Sequence, residues 1–316
     1  MFQTHIQLAP MASVTILMPV YNAEKYVSQA IESILTQSYS DFIFLIINDG
    51  SVDDSEKIIL SFKDKRIQYL RNEQNIGLVA TLNKGIELTE TEYLARMDAD
   101  DIAFHERLEE QVNYLKQHPE IGVCGTLYEK LGDKSGVAFL YLDHDDIVSN
   151  LLFSNGICHP SVIIRTKLLK DNAIRFGVDF DYNDGYGHKL LELEDYALWH
   201  KLKHYTRFAN LNEVLLKYRR EGQNLSAQNM EAILKRRKKF ISFWLKELDI
   251  EAEERALDTH CSYHAIKDRE DISALKVHFE AMLKANNIKK IYPQDAFEKA
   301  VTKQWERFFI LHPQWG

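Results

Sequence analysis

Between residues 13 and 125 the chain alternates short apolar runs with amphipathic stretches. Val14–Val20 is continuous and β-rich, the pattern of a strand buried on both faces; Pro19 cannot donate to a ladder and predicts the strand's end. Val27, Ala30, Ile31, Ile34 and Leu35 then recur at helical spacing, with Asn22 the expected N-cap. Residues 42–47 form a second apolar strand, closed by the turn residues Asn48, Asp49, Gly50 and Ser51. Ile67–Arg71 reads as a third strand, followed by a helical stripe through Leu78, Leu82 and Ile86. Residues 93–97 make a fourth strand that runs into Asp98, Ala99, Asp100 and Asp101.

Such βαβα order predicts a Rossmann-like α/β fold, a mostly parallel sheet with helices on both faces. Ligands of such sheets bind beyond the carboxyl ends of the strands. Here those ends carry Tyr21 and Asn22, Asp49 to Ser51, and Asp98 to Asp101.

The pattern weakens over residues 126–190, where glycines and aromatics interleave. A helix over 147–153 is expected, capped from the run Asp143, His144, Asp145 and Asp146, and an apolar strand over 162–164 follows His159. Helical spacing returns at 191–203, a late strand is expected at 214–218, and apolar i, i+3/i+4 spacing persists to the end. Three regions follow: an N-terminal extension over 1–12, a catalytic α/β domain over 13–226, and a C-terminal helical region over 227–316.

Composition narrows the function. The 316 residues are 45% hydrophobic and 27% charged, enough apolar material for a large core. A formal net charge of -8 argues against general nucleic-acid binding, which needs many cations to neutralise phosphates. Cys124, Cys158 and Cys261 match no metal or redox spacing, so they read as reduced packing residues of a cytoplasmic protein. No apolar run reaches the ~20 residues that span a bilayer, and the first residues lack the features of a secretory signal.

Asp98 and Asp100 are the sharpest chemical feature. Two carboxylates at i and i+2 past a buried strand point to one side of an extended segment, and hard oxygen donors suit Mg²⁺ or Mn²⁺. A lone D-x-D also occurs in solvated loops; its place among three polar strand ends favours chemistry here. Asp49 reads either as an acceptor for a nucleobase N–H or as ordinary turn chemistry.

The assembled set resembles glycosyltransferase family 2, the inverting enzymes of the GT-A fold. The resemblance rests on Met18 to Asn22, Ile47 to Ser51, Asn75 to Leu78, Ala95 to Asp101, and Glu194, Asp195 and Tyr196 ahead of Trp199. It implies that Pro19, Val20, Tyr21, Asn22 and Asp49 hold the nucleotide base, with Asp49 reading uracil. It also implies that Asp98 contacts the ribose region and that Asp100, with Asp98 beside it, ligates the metal bridging the diphosphate. Ala99 lies between those ligands, and Asn83 and Arg96 flank the donor. Of Glu194 and Asp195, adjacent on a helix and pointing ~100° apart, the resemblance favours Asp195 as general base; the bland alternative is acidic complementarity to a helix N-terminus.

A narrower likeness, over Ala95 to Ala103, Glu194 to Trp199 and Leu215 to Ser226, is to bacterial transferases that add N-acetylhexosamine or hexose to lipooligosaccharide. It implies a UDP-sugar donor, N-acetylglucosamine first and galactose or N-acetylgalactosamine next, and a glycan or glycolipid acceptor of lipooligosaccharide or capsule. Glu221 departs from that likeness, standing where a histidine is usual.

Other signals carry less. Residues 179–185 imitate a calcium loop, but the glycine falls one place late and Leu190 stands where the closing glutamate belongs; the segment reads better as an acceptor-side loop. His159 lines an acceptor pocket or is satisfied by backbone. Within residues 235–248, the five cations at 235–239 flank an apolar helical face, which either packs on the catalytic domain or makes a peripheral contact with anionic lipid. Two rival functions remain: a nucleotidyltransferase, disfavoured because residues 19–26 hold no glycine, and a non-catalytic sugar-nucleotide or glycan-binding module, disfavoured by the intact acids. A dehydrogenase would need a G-x-G-x-x-G after the first strand, and none is present.

Overall fold

The computed structural model describes residues 12–132, 135–177, 193–220 and 230–315. The strands are β1 (Val14–Val20), β2 (Phe42–Asn48), β3 (Ile67–Arg71), β4 (Tyr93–Arg96), β5 (Ile102–Ala103), β6 (Ile121–Gly132), β7 (Gly136–Ala138), β8 (Ile163–Arg165) and β9 (Arg207–Arg220). They form one sheet in the order β3-β2-β1-β4-β8-β6-β9-β5, with β7 paired to β6.

Helices α1 (Val27–Leu35), α2 (Ser55–Ser61), α3 (Leu78–Leu88) and α4 (Arg107–Gln117) connect the first strands. They are followed by α5 (His144–Asn150), α6 (Thr166–Asp171) and α7 (Glu194–Leu202). The end of the chain is helical: α8 (Met230–Leu245), α9 (Glu254–Cys261), α10 (Arg269–Lys289) and α11 (Gln294–Leu311).

The sheet is mixed. From β3 to β4 all pairs are parallel, as the βαβα pattern predicts. β8 then inserts antiparallel between β4 and β6, and β5 runs antiparallel to β9. The two long strands β6 and β9 pair in parallel and carry register irregularities near Thr126 and Leu127.

Side-chain alternation divides the apolar strands between two cores. Ile16, Met18, Phe44 and Ile46 face α1 and α4. Leu17, Leu45, Ile47 and Leu94 face α3, α5 and α7, and the core on that side continues without a break into the C-terminal helices. There Phe240, Ile241, Trp244, Leu245 and Leu248 are buried, and Trp244 stacks on His200 with ring centroids 4.0 Å apart. The apolar face of 235–248 is thus packed against the protein, with Phe243 left outside. Among the described residues no helix is long and apolar enough to cross a membrane.

Two local expectations need correction. β1 runs through Pro19, which pairs with Ile47 of β2. Leu17 and Pro19 turn their peptide groups towards β4, but that pairing ends at Leu17 and Arg96, so the missing N–H removes no ladder bond. Asn22 does not cap α1, which starts five residues later without a side-chain cap. Instead Asn22 adopts a left-handed φ of 49°, its Oδ1 accepts from Val52 N at 3.0 Å, and its own N–H donates to Ser51 Oγ at 3.0 Å. It fastens the end of β1 to the turn after β2.

Candidate active site

The carboxyl ends of β2, β1 and β4 lie side by side, and each delivers part of the site. Asp49, at the end of β2, is 3% exposed. Its Oδ1 accepts from Asn72 Nδ2 at 2.8 Å and Ile76 N at 3.0 Å, and its Oδ2 accepts from Gly77 N at 2.9 Å. The carboxylate therefore holds the loop that opens α3, where the helix N-terminus favours its charge. Gly50 makes the close approach feasible: at φ 71° its α-carbon faces the backbone of Gln74 and Asn75, and an added Cβ would sit 2.7 Å from Asn75 N. Asp49 N in turn donates to Val20 O at 2.8 Å, and Tyr21 beyond it is half exposed.

The acidic turn after β4 is the second part. Asp98, Asp100 and Asp101 each place a carboxylate oxygen within 4.8 Å of the others. Beneath them Arg96 is 4% exposed and ion-paired with Asp98. Burial works against its charge, but Asp98, Glu194 and Asp101 outweigh it and hold its pKa above the ordinary value.

Asp101 is almost fully buried, and its Oδ1 accepts from Arg219 N at 2.8 Å while its Oδ2 has no hydrogen-bond partner among the described residues. Arg219 Nε also donates to the backbone oxygen of Asp100 at 2.9 Å, so β9 braces the turn. Burial, then the charge of Asp98, pushes Asp100 up to about 6, and Asp101 is raised well above its usual range by burial and both neighbouring acids. Three crowded carboxylates and an orphaned buried oxygen suit a hard divalent cation.

Helix α7 supplies the third part. Glu194 and Asp195 open it and, as the helical geometry predicts, do different things. Glu194 is 8% exposed and faces His159, with Nδ1 to Oε1 at 3.3 Å. Burial and the nearby Arg96 push the His159 imidazole down to about 4, so it is neutral at pH 7. Its ring stands edge-on to Trp199, with centroids 6.0 Å apart.

Asp195 turns elsewhere: its Oδ2 accepts from Asn155 Nδ2 at 2.7 Å and its Oδ1 from Tyr196 N at 2.6 Å. Burial, then the charge of Glu194, raises it to about 6. Arg96, which feels both Asp98 and Glu194, and His159, which feels both Asp195 and Asp98, tie the acidic turn to α7 as one charged centre.

The structure thus brings Asp98, Asp100, Arg96, Glu194 and Asp195 together, with Ala99 buried inside the turn. Asn83 is spent otherwise: its Nδ2 donates to Phe176 O at 2.9 Å and its Oδ1 accepts from Phe176 N at 2.8 Å, clipping that backbone to α3. Glu221, residues 179–185 and the N-terminal residues 1–11 lie outside the described residues. Sequence reasoning gave no role to Asn155 or Arg219 and did not set Asp101 among the ligands. Asp101 was signalled by adjacency, whereas Asn155 is 40 residues from Asp195 and has no local motif.

A twisted α/β sheet with a charged centre at its strand ends defines a class, and comparison with known proteins identifies it. The family model "Glycosyl transferase family 2" matches residues 15–156. An uncharacterized glycosyltransferase of Haemophilus influenzae is 31% identical over 255 residues, 75% of this chain and 76% of that protein. The Escherichia coli UDP-Glc:alpha-D-GlcNAc-diphosphoundecaprenol beta-1,3-glucosyltransferase WfgD is 27% identical over 225 residues, 70% of this chain and 82% of the relative.

Among solved structures, residues 1–349 of Staphylococcus aureus TarS in complex with UDP-GlcNAc superimpose with a TM-score of 0.60 at 19% identity, covering 93% of this chain and 92% of TarS 1–349. The chain belongs to glycosyltransferase family 2, and its fold is of the GT-A type.

Proposed function

We propose that this protein transfers a sugar from a UDP-sugar to a glycan or glycolipid acceptor of the bacterial surface, with inversion at the anomeric carbon. The observation that carries the reading is the meeting of the acidic turn at Asp98–Asp101 with the carboxylate of Asp195, whose hydrogen bond to Asn155 is an exposed one. The likeness to a relative named for UDP-glucose and to a structure holding UDP-GlcNAc supports the uridine nucleotide.

In this reading Pro19 to Asn22 and Asp49 flank the base. Among the described residues Asp49 Oδ2 accepts one hydrogen bond, from Gly77 N, which leaves a lone pair for a uracil N–H. Asp98 and Asp100, joined by Asp101, would hold a Mn²⁺ or Mg²⁺ ion, whose chemistry is to neutralise the charge of the departing diphosphate. Arg96, ion-paired with Asp98, orients its carboxylate. Asp195 takes the proton of the acceptor hydroxyl as its oxygen bonds to the anomeric carbon and the bond to the diphosphate breaks. A pKa of about 6 suits a general base, since the group is ionised at pH 7 and more basic than an ordinary aspartate.

The first donor to test is UDP-N-acetylglucosamine, then UDP-galactose and UDP-N-acetylgalactosamine. Incubation with each donor and Mn²⁺, followed by NMR of the product's anomeric coupling, tests the reading. A β-linked product from an α-linked UDP-sugar is expected. Turnover confined to GDP- or dTDP-sugars, or a retained α-linkage, overturns it.

A further inference from the structure

The C-terminal end of α7 and the turn that follows it carry a second cluster, which the transfer chemistry does not use. His200 and His204, one helical turn apart, face Glu247 on the 3-10 turn Lys246–Leu248 that follows α8. His204 Nε2 lies 3.2 Å from Glu247 Oε1, and His200 Nδ1 lies 3.6 Å from the same oxygen. One donor atom from each residue falls within 4.8 Å of the other two. Metal bonds of ~2.0–2.1 Å in a tetrahedron separate neighbouring donors by about 3.3 Å. Two edges of such a tetrahedron therefore stand near their final length, and a turn of His204, whose side chain is 46% exposed, closes the third.

We propose that His200, His204 and Glu247 form a second, zinc-type metal site with its fourth position open to solvent. Two imidazoles and a carboxylate select Zn²⁺, Co²⁺ or Ni²⁺ over Mg²⁺ and Mn²⁺, which prefer the all-oxygen set at Asp98–Asp101. The groups behind the donors are in place, as metal ligands require. Glu247 Oε2, the oxygen turned away from the histidines, accepts from Lys203 Nζ at 2.8 Å. Lys203 also donates to Tyr292 Oη at 2.9 Å and makes a longer contact of 3.2 Å with His200 Nε2.

A metal on His200 Nδ1 fixes the ring proton on Nε2, which gives up the 3.2 Å hydrogen bond from the Lys203 ammonium and faces Tyr292 Oη at 3.4 Å, while Lys203 keeps its two shorter contacts to Glu247 and Tyr292. The cation would join the end of the helix that carries Asp195 to the turn after α8. The competing arrangement is a closed network around the Lys203 ammonium, whose charge repels a dication.

The test is equilibrium dialysis of the metal-stripped full chain against Zn²⁺ in excess Mg²⁺, which saturates the oxygen site, with metal analysis and a parallel Co²⁺ titration by visible absorption. One Zn²⁺ per chain is expected, together with the intense bands of four-coordinate Co²⁺. His204→Ala and Glu247→Gln should each weaken zinc binding more than the roughly 10–100-fold that loss of an outer partner costs. Asp100→Asn should leave it unchanged. Circular dichroism confirms that each variant is folded; His204 and Glu247 are both partly exposed, which favours this. No zinc retained by the wild type in excess Mg²⁺, or equal retention by folded His204→Ala and Glu247→Gln, overturns the site in favour of the lysine-centred network.

Discussion

His159 Nδ1 stands 3.3 Å from Glu194 Oε1 with 7% of each side chain exposed, a buried pair. The carboxylate one residue on, Asp195, instead takes its hydrogen bond from Asn155, an exposed contact. Asp195→Asn should therefore keep donor affinity and lower kcat by about 10²–10⁴-fold, the usual worth of a general base. Glu194→Gln should lose less and keep turnover measurable. Steady-state kinetics of both variants decide it; an inactive Glu194→Gln beside an active Asp195→Asn would reverse the assignment.

The same pair governs the pH dependence. Asp195 acts as a base only when ionised, so kcat/KM should fall as pH drops below about 6. Glu194 is the second cause of that raised value, after burial, so Glu194→Gln should move the acid limb to lower pH. A limb unmoved by that change would assign it to burial of Asp195 or to Asp100, which burial and Asp98 raise to the same range.

Asp195 also carries a stability cost with a definite sign. A folded-state pKa above the unfolded value means that the native state binds the proton more tightly. The ionised group then opposes folding above that range, and the cost disappears as pH falls towards 4. Asp195→Asn should accordingly raise Tm at pH 8 by the equivalent of at most about 3 kcal/mol, and by little at pH 4. Calorimetry at the two pH values checks it.

Uridine diphosphate should bind much more tightly with Mn²⁺ than with a chelator, because the three acids would otherwise repel the diphosphate. Asp100→Ala should abolish transfer and leave the circular dichroism unchanged. Titration calorimetry giving equal affinities with and without metal would end the metal role.

Gly50→Ala tests the other side of the pocket. The left-handed φ and the backbone of Gln74 and Asn75 against it leave no room for a methyl group, so a loss of about 1–3 kcal/mol is expected. Because that loop carries the N–H groups held by Asp49, nucleotide affinity should fall more than stability explains.

The parallel half of the fold was legible because strands buried on both faces read as unbroken apolar runs, as in Val14–Val20. β6 was not. Gly122 and Gly125 interrupt its run where Leu168, Thr206 and Asn210 press against the backbone, and its bulges break the period. Asn210, whose Nδ2 donates to Tyr141 O and Gly156 O, similarly hid the first half of β9. In the site, the acidic turn and the α7 pair announced themselves by local sequence. The brace from Arg219 to Asp101, and the contact from Asn155 to Asp195, join residues far apart in sequence that only the folded chain makes neighbours.

The shared core beneath α7 has a consequence for how the chain can be cut. Trp199 from the helix of the acids, Trp244 from α8, Phe279 from α10 and Phe297 and Phe308 from α11 belong to the same apolar mass as Leu17 and Leu45 of the sheet. Burial of each such side chain contributes roughly 1.5–3 kcal/mol, so stripping the last helices would uncover more than a domain's whole margin of stability. The polypeptide should melt in one transition, and a version ended at residue 226 should be insoluble rather than a smaller working transferase.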